Sequence, residues 1–187
     1  MDAERLTTLD AVLDAVWQQM TLAVHEKSHA WRTPVLATRD GQAVDARTVV
    51  LREARPSERQ LLIYTDPRAG KVGQLLAQPQ AVLVLWSPLL AWQLRLRVDL
   101  RLQTAGLDVT SRWAKVKMSP AAQDYLAPQP PGTLLTDASD ARMPHPSSEV
   151  FFGVITAQVC SLDWLELHPQ GHRRARFDDV GARWLQP

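Results

Sequence analysis

Between residues 92 and 103 every second side chain is apolar: Trp92, Leu94, Leu96, Val98, Leu100 and Leu102 alternate with Gln93, Arg95, Arg97, Asp99, Arg101 and Gln103. A period of two fits a strand with one buried and one wetter face, because successive side chains of a pleated chain point to opposite sides. The rest of the chain must supply partners for this strand.

The flanking segments do so. Leu9, Val12, Leu13, Val16, Trp17, Met20 and Val24 recur at three- and four-residue steps, which predicts an amphipathic helix over 7–26. WRTPVLATRDGQAVDARTVVLRE follows as a hairpin turned at Arg39-Asp40-Gly41, where glycine accepts positive φ. Residues 60–65 read as a third strand, and Asp66-Pro67 offers an N-cap and first-turn proline for a short helix through Gln78. Residues 81–86 read as a buried strand closed by Ser87-Pro88. A second amphipathic helix is expected over 107–117, then a Pro-, Ser- and Asp-rich loop over 127–148. Strands over 151–160 and 162–167 come next, and HRRARFD and ARWLQP form a final strand pair around Gly181. The expected fold is one α+β domain over 1–187, mainly antiparallel β, arranged as a barrel with peripheral helices.

A chain of 187 residues builds a core without disulfides or metal. Lys+Arg of 21 against Asp+Glu of 20 leaves no global field for nucleic acid or an anionic membrane. Cys160 is the only cysteine, which excludes an internal disulfide and a four-cysteine zinc site and fits a reducing compartment. MDAERLTTLD lacks the basic and apolar regions of a signal peptide, and no apolar run approaches the roughly 20 residues that span a bilayer. A cytoplasmic protein is expected, with no nucleic-acid or membrane partner and no metal.

Arg47-Thr-Val-Val-Leu-Arg52 lies at the end of the hairpin's second strand, and an arginine fork on a rigid element matches phosphate oxygens. Lys71 falls in the first turns of the short helix, where free amides and the helix dipole also favour an anion. The two make a phosphate clamp. Spacing alone equally describes solvated strand and helix charges, and on that ground the plainer reading is favoured.

RTVVLR, IYTDPRAGKVGQL and AVLVLWSPLLAWQLRLRV, in this order and spacing, resemble the successive flavin-binding segments of the pyridoxamine 5'-phosphate oxidase family. The similarity covers residues 33–98 closely and WLELHPQGHRRARFD more loosely. It implies an FMN-binding split β-barrel, a homodimer with FMN between its subunits, and oxidoreductase chemistry on a small-molecule substrate. Arg47 resembles the arginine of the FMN phosphate, and Thr48, Val49, Val50 and Leu51 the strand whose backbone lines the flavin. Tyr64 and Thr65 match the following Tyr-Thr pair, Lys71 the second phosphate cation, and Gln93 the glutamine that hydrogen-bonds the flavin.

The pattern also departs. The family's Arg-Lys pair is Gly70-Lys71 here, with Arg68 as the substitute arginine; the mid-chain Gln-Ser pair has no match, and the C-terminal tryptophan position holds Leu165 beside Trp164. On the substrate side Arg52 occupies the substrate-lysine position. Arg173 resembles the arginine of an Arg-x-His motif whose histidine is Ala175, and Ser119 stands where a substrate-phosphate arginine is expected. The resemblance thus implies an FMN-binding oxidoreductase of a divergent branch whose substrate is not pyridoxamine 5'-phosphate. A non-catalytic flavin- or haem-binding module, or a genuine pyridoxamine 5'-phosphate oxidase, are the alternatives.

Other residues have plainer readings. Arg95, Arg97 and Arg101 fit a solvated barrel face, His145, His168 and His172 lack metal-site spacing, and Cys160 fits a small core hydrophobe. Trp17, Trp86 and Trp92 fit core or interface packing; Trp113 fits packing better than flavin contact.

Overall fold

The computed structural model of the chain describes residues 5–137 and 149–187. Helix α1 (Leu9–His25) starts where the Thr8 hydroxyl accepts the Ala11 amide at 3.2 Å, and it buries Val12, Val16, Trp17, Met20 and Ala23. Strands β1 (Val35–Asp40) and β2 (Ala43–Thr48) form the expected hairpin, with Gly41 at φ +60°. The second run does not continue to Arg52. It ends at Thr48, the Val49 amide donates to the Pro34 carbonyl at 2.9 Å, and a new strand β3 (Leu51–Arg55) pairs with β4 (Gln60–Thr65) in another part of the sheet.

Helix α2 (Gly70–Ala77) begins later than Asp66-Pro67 predicts. Asp66 Oδ1 accepts the Arg68 amide at 2.8 Å in a turn of its own, and Ala69 takes the cap position. The chain continues through β5 (Gln80–Ser87), β6 (Trp92–Gln103), α3 (Leu107–Val116), β7 (Gly153–Glu166), β8 (Arg173–Asp178) and β9 (Gly181–Leu185). No helix among the described residues is long and apolar enough to cross a membrane.

The strands form one sheet in the order β2-β1-β5-β6-β7-β4-β3, every pairing antiparallel, with β8 and β9 branching from β7. β7 creates the branch: residues 153–158 pair with β4 and 162–166 with β8, while β6 covers its other edge throughout. Among the described residues β2 and β3 do not pair, so the barrel is split rather than closed. The inner face carries the core, where Trp92 bridges Trp31 at 6.3 Å and Trp164 at 5.4 Å between ring centroids. Each fully buried side chain of this kind contributes about 1.5–3 kcal/mol. A smaller cluster of Leu62, Val109, Tyr125, Phe152 and Val154 fastens α3 to the sheet, and Trp113 packs there against Tyr125 and Phe152.

Three expectations are corrected. β7 runs unbroken where two strands were expected, because its irregularity is a bulge: Arg97 pairs with Ser161 and Val98 with Val159, so Cys160 has no partner opposite. The extra residue leaves Cys160 exposed instead of in the core, its Sγ 3.5 Å from Asp99 Oδ2. β5 alternates in burial rather than being covered on both faces, so Trp86 is 45% exposed. Residues 127–137 form no helix or strand; the rest of the expected loop, with His145, lies outside the described residues.

Candidate functional site

Arg47 stands near the end of β2 opposite Leu36, so its side chain lies on the core side, where α2 crosses the sheet edge. Its guanidinium donates to Thr38 Oγ1, to the Leu36 carbonyl, to Gln74 Oε1 at 2.9 Å and to the Asp45 carboxylate. Gln74 completes the knot: its Oε1 accepts from the Thr38 hydroxyl at 2.6 Å and its Nε2 donates to Asp45 at 3.1 Å. One turn earlier on α2 sits Lys71, half-buried. Burial first, and the positive charge of Arg47 second, lower its pKa below the ordinary lysine value, with Asp66 acting the other way. Two cations therefore share a small volume beside a helix start whose cap residue makes no side-chain hydrogen bond. That arrangement receives an anion.

Arg68 does not join them. It pairs with Asp66 at 2.6 Å, donates to the Ala127 and Pro128 carbonyls at 2.8 and 3.2 Å, and lies 3.3 Å over the Phe151 ring. Its work is to hold the 127–128 segment against the Asp66 turn.

The break between β2 and β3 shapes the next wall. Val49 and Leu51 are buried, Val50 is half-buried between the two strands, and Thr48 is exposed. On β4, Thr65 is buried and donates to the Asp66 carbonyl at 3.0 Å, while the Tyr64 ring packs edge-on to Phe152 with Arg52 5.5 Å above it. Arg52 Nε is buried with no hydrogen-bond partner among the described residues. The Tyr64 hydroxyl points at Glu53 Oε1, 3.4 Å away, and Glu53 receives both arms of Arg112 at 2.6 and 2.9 Å. Burial would raise the Glu53 carboxyl, but the Arg112 hydrogen bond and charge outweigh it and hold it below the usual range. Burial and the Glu53 charge push the Tyr64 phenol up. Sequence reasoning missed Glu53 and its pairing with Arg112; no local signal links residues so far apart in the chain.

Two expected site residues stand elsewhere. Gln93 lies on the outer face of β6, opposite Trp86 and Leu165. Arg47 is opposite Leu36, Leu36 opposite Leu83 and Leu83 opposite Leu96, so Gln93 lies three strands away from Arg47 and about 10 Å further along β6, on the other face of the sheet. One protomer does not bring Gln93 to Arg47 and Lys71. Arg173, expected to face substrate, turns to the opposite side of β8 from its neighbours. It holds Glu166 at 2.9 and 3.0 Å, donates to the Leu6 carbonyl, and shares Glu166 with Arg5. Ala175 and Phe177 follow it into the core. Arg174 and Arg176 face outward instead, where with Arg95 they converge on Asp163. Ser119 donates to the Val116 carbonyl at 2.8 Å, closing its own helix.

Residues 14–104 match the family model described as pyridoxamine 5'-phosphate oxidase, FMN-binding domain. Among curated proteins none matches the chain. Among solved structures, a pyridoxamine 5'-phosphate oxidase-related, FMN binding protein from Nostoc punctiforme is 22% identical, with 98% of this chain and 100% of that one covered at a TM-score of 0.69. PhzG from Burkholderia lata, in complex with tetrahydrophenazine-1-carboxylic acid, is 15% identical, with both chains covered in full at a TM-score of 0.74. A heme binding protein from Mycobacterium smegmatis is 14% identical, with 92% of this chain and 59% of that one covered at a TM-score of 0.52. At these identities the likeness is one of fold.

Proposed function

From the match of residues 14–104 to the pyridoxamine 5'-phosphate oxidase FMN-binding domain family and from the split-barrel fold, we propose that the chain is an FMN-binding oxidoreductase of that family. The observation that carries this reading is the convergence of Arg47 and Lys71 beside the start of α2. These residues fit the FMN phosphate, which bears close to two negative charges at neutral pH. Thr38 and the Gln74 side-chain oxygen fix the Arg47 fork, and a phosphate oxygen takes the place of Asp45 as acceptor from the Arg47 guanidinium and from the Gln74 amide. The backbone from Thr48 to Leu51 and the Tyr64-Thr65 pair line the neighbouring surface. FMN supplies the two-electron chemistry when bound, so the chain's own residues bind, orient and exclude water.

The outer sheet face carries Val35, 37% exposed, and Trp86, 45% exposed, around Gln93 and Leu165. We read this face as the surface that meets a second copy, so that Gln93 of one protomer serves the clamp of the other. The substrate is a small molecule other than pyridoxamine 5'-phosphate: Ala175 is in the core and Ser119 is spent on its own helix, which leaves the expected phosphate grip unmade. The protein acts as one domain in the cytoplasm. The likeness to a heme binding protein supports a second reading, a cofactor-holding module without turnover.

The absorption spectrum of the purified protein separates these readings. Flavin bands are expected, together with a dimer mass by light scattering and oxygen consumption far below the enzyme median of about 10 per second on pyridoxamine 5'-phosphate. A haem band from reconstituted protein, or a flavin-loaded monomer, contradicts the proposal.

A further inference from the structure

Arg95, Asp163 and Arg176 stand directly opposite one another across β6, β7 and β8, on the outer face of the sheet. Arg174 reaches the same carboxylate from the next outward position. Asp163 Oδ2 accepts from Arg95, Arg174 and Arg176 at 2.9, 2.9 and 3.0 Å, and Oδ1 accepts from Arg174 at 2.9 Å. Asp163 is buried while all three arginine side chains stay partly exposed. One carboxylate thus gathers three guanidinium groups, and those four hydrogen bonds use only a fraction of the five N–H donors that each arginine carries.

One carboxylate does not balance the charge of the three guanidinium groups it gathers. Arg97, next outward on β6, makes no ion pair among the described residues, yet it lines the same cavity of about 180 Å³ with Arg95, Arg176, Ser161, Asp163 and Val82. Of the neighbouring carboxylates, Asp178 is engaged by Arg183 at 2.6 Å and also feels the Arg176 charge, Asp99 lies beside Cys160, and Asp179 lines an adjoining cavity with Arg97 and Arg176. A solvated face spreads its arginines apart. Here a buried acid draws them together, and two of them, Arg95 and Arg176, line one small cavity with Arg97.

We propose that Arg95, Arg97 and Arg176, organised by Asp163, form an anion subsite that takes a carboxylate or phosphate group of the substrate. Asp163 is a positioning residue: its four hydrogen bonds, three of them on Oδ2, fix the forks and leave the remaining N–H groups to the ligand. Guanidinium forks fit both oxyanions through paired N–H donors. The cavity admits such a group with little else, so the rest of the ligand extends over the sheet toward Gln93, on the same face of β6. That the ligand is the substrate rests on the flavin reading of Gln93; the anion subsite itself does not.

The test is titration of the full-length protein with benzoate and with inorganic phosphate, followed by calorimetry and by the guanidinium Nε–Hε signals in NMR. It is run on wild type, Arg47→Ala, Arg97→Gln, and the Arg97→Gln/Arg176→Gln double variant. Benzoate binding is expected to persist in Arg47→Ala, to weaken about tenfold in Arg97→Gln, the worth of one charge-assisted hydrogen bond, and to vanish in the double variant. Phosphate binding that survives Arg47→Ala and fails in the double variant supports the same subsite and marks a phosphorylated substrate. Arg97 has no ion pair to lose, so its variant keeps the fold if the double variant does not. No binding of either anion to Arg47→Ala at about 10 mM, or unchanged benzoate affinity in Arg97→Gln, overturns the subsite. Because none of these arms needs flavin, a chain that binds benzoate here but no FMN overturns only the functional reading.

Discussion

Replacing Arg112 by alanine strands Glu53, and the size of the effect follows from how far each is buried. The Arg112 side chain is 10% exposed and that of Glu53 30% exposed, and the pair is joined by two hydrogen bonds at 2.6 and 2.9 Å. Removing one member of a fully buried pair destabilises by about 3–5 kcal/mol, chiefly through the uncompensated charge left behind. Glu53 keeps some water contact and a second partner in Arg55 at 3.2 Å, so the expected loss is about 2–3 kcal/mol. For a chain of this size that lowers Tm by roughly 5–10 °C. Removing both charges together, as Arg112→Met with Glu53→Gln, leaves no stranded charge and is expected to destabilise by less than about 1 kcal/mol. A double-mutant cycle in urea over Arg112→Met, Glu53→Gln and the two combined reads the difference as a coupling of about 2 kcal/mol. Single variants within about 0.5 kcal/mol of wild type, or a double variant as unstable as the sum of the singles, would refute the argument that this pair locks α3 to β3.

Other outcomes follow from the same structure. A Cβ on Gly153 sits 3.1 Å from Leu102 Cδ1 and 3.3 Å from Pro67 Cγ, so Gly153→Ala should destabilise by about 1 kcal/mol, visible as a lower urea midpoint at unchanged m. Arginine partners outweigh burial and hold the carboxyls of Glu53, Asp163 and Glu166 below their ordinary values. Their stabilisation is therefore complete above the unfolded carboxyl pKa of about 4 and lost as pH falls through the lower folded values; a flat urea midpoint between about pH 5 and 2.5 would contradict this. Lys71 loses its proton at lower pH than an ordinary lysine, so FMN affinity should fall as pH rises toward that range and the fall should disappear in Lys71→Arg. Equal alkaline profiles for both proteins would speak against Lys71 as a phosphate ligand.

The fold was legible where burial is one-sided and regular. The alternation from Trp92 to Gln103 became β6 without loss, because a one-residue slip would turn its whole apolar set into water. The same period misled where an extra residue intervenes: the bulge at Cys160 moves that side chain out of the core, and no composition rule marks it. RTVVLR read as one strand because its β-branched run continues across the break. What ends β2 is the long-range bond from Val49 to Pro34.

Among candidate site residues, Arg47 and Lys71 come together because hairpin and helix are near neighbours in sequence. For Arg173 a single position matters: on a strand, it decides between the Glu166 pair inside and the Asp163 cluster outside. The Glu53–Arg112 lock depends on a helix docking from far along the chain. Gln93 illustrates the same limit, since its place far from the clamp follows from sheet order and not from its motif.

The most direct test of the central claim compares FMN with riboflavin, titrated into apoprotein of wild type and of Arg47→Ala. The two ligands differ only in the phosphate that Arg47 and Lys71 are placed to receive. Each charge-assisted hydrogen bond contributes about 1.5–3 kcal/mol, so wild type should prefer FMN by roughly tenfold to over a hundredfold. Arg47→Ala should lose most of that preference while holding riboflavin as before. Equal affinity of wild type for both ligands, or an equal loss of both in Arg47→Ala, would contradict the assignment of the clamp to the FMN phosphate.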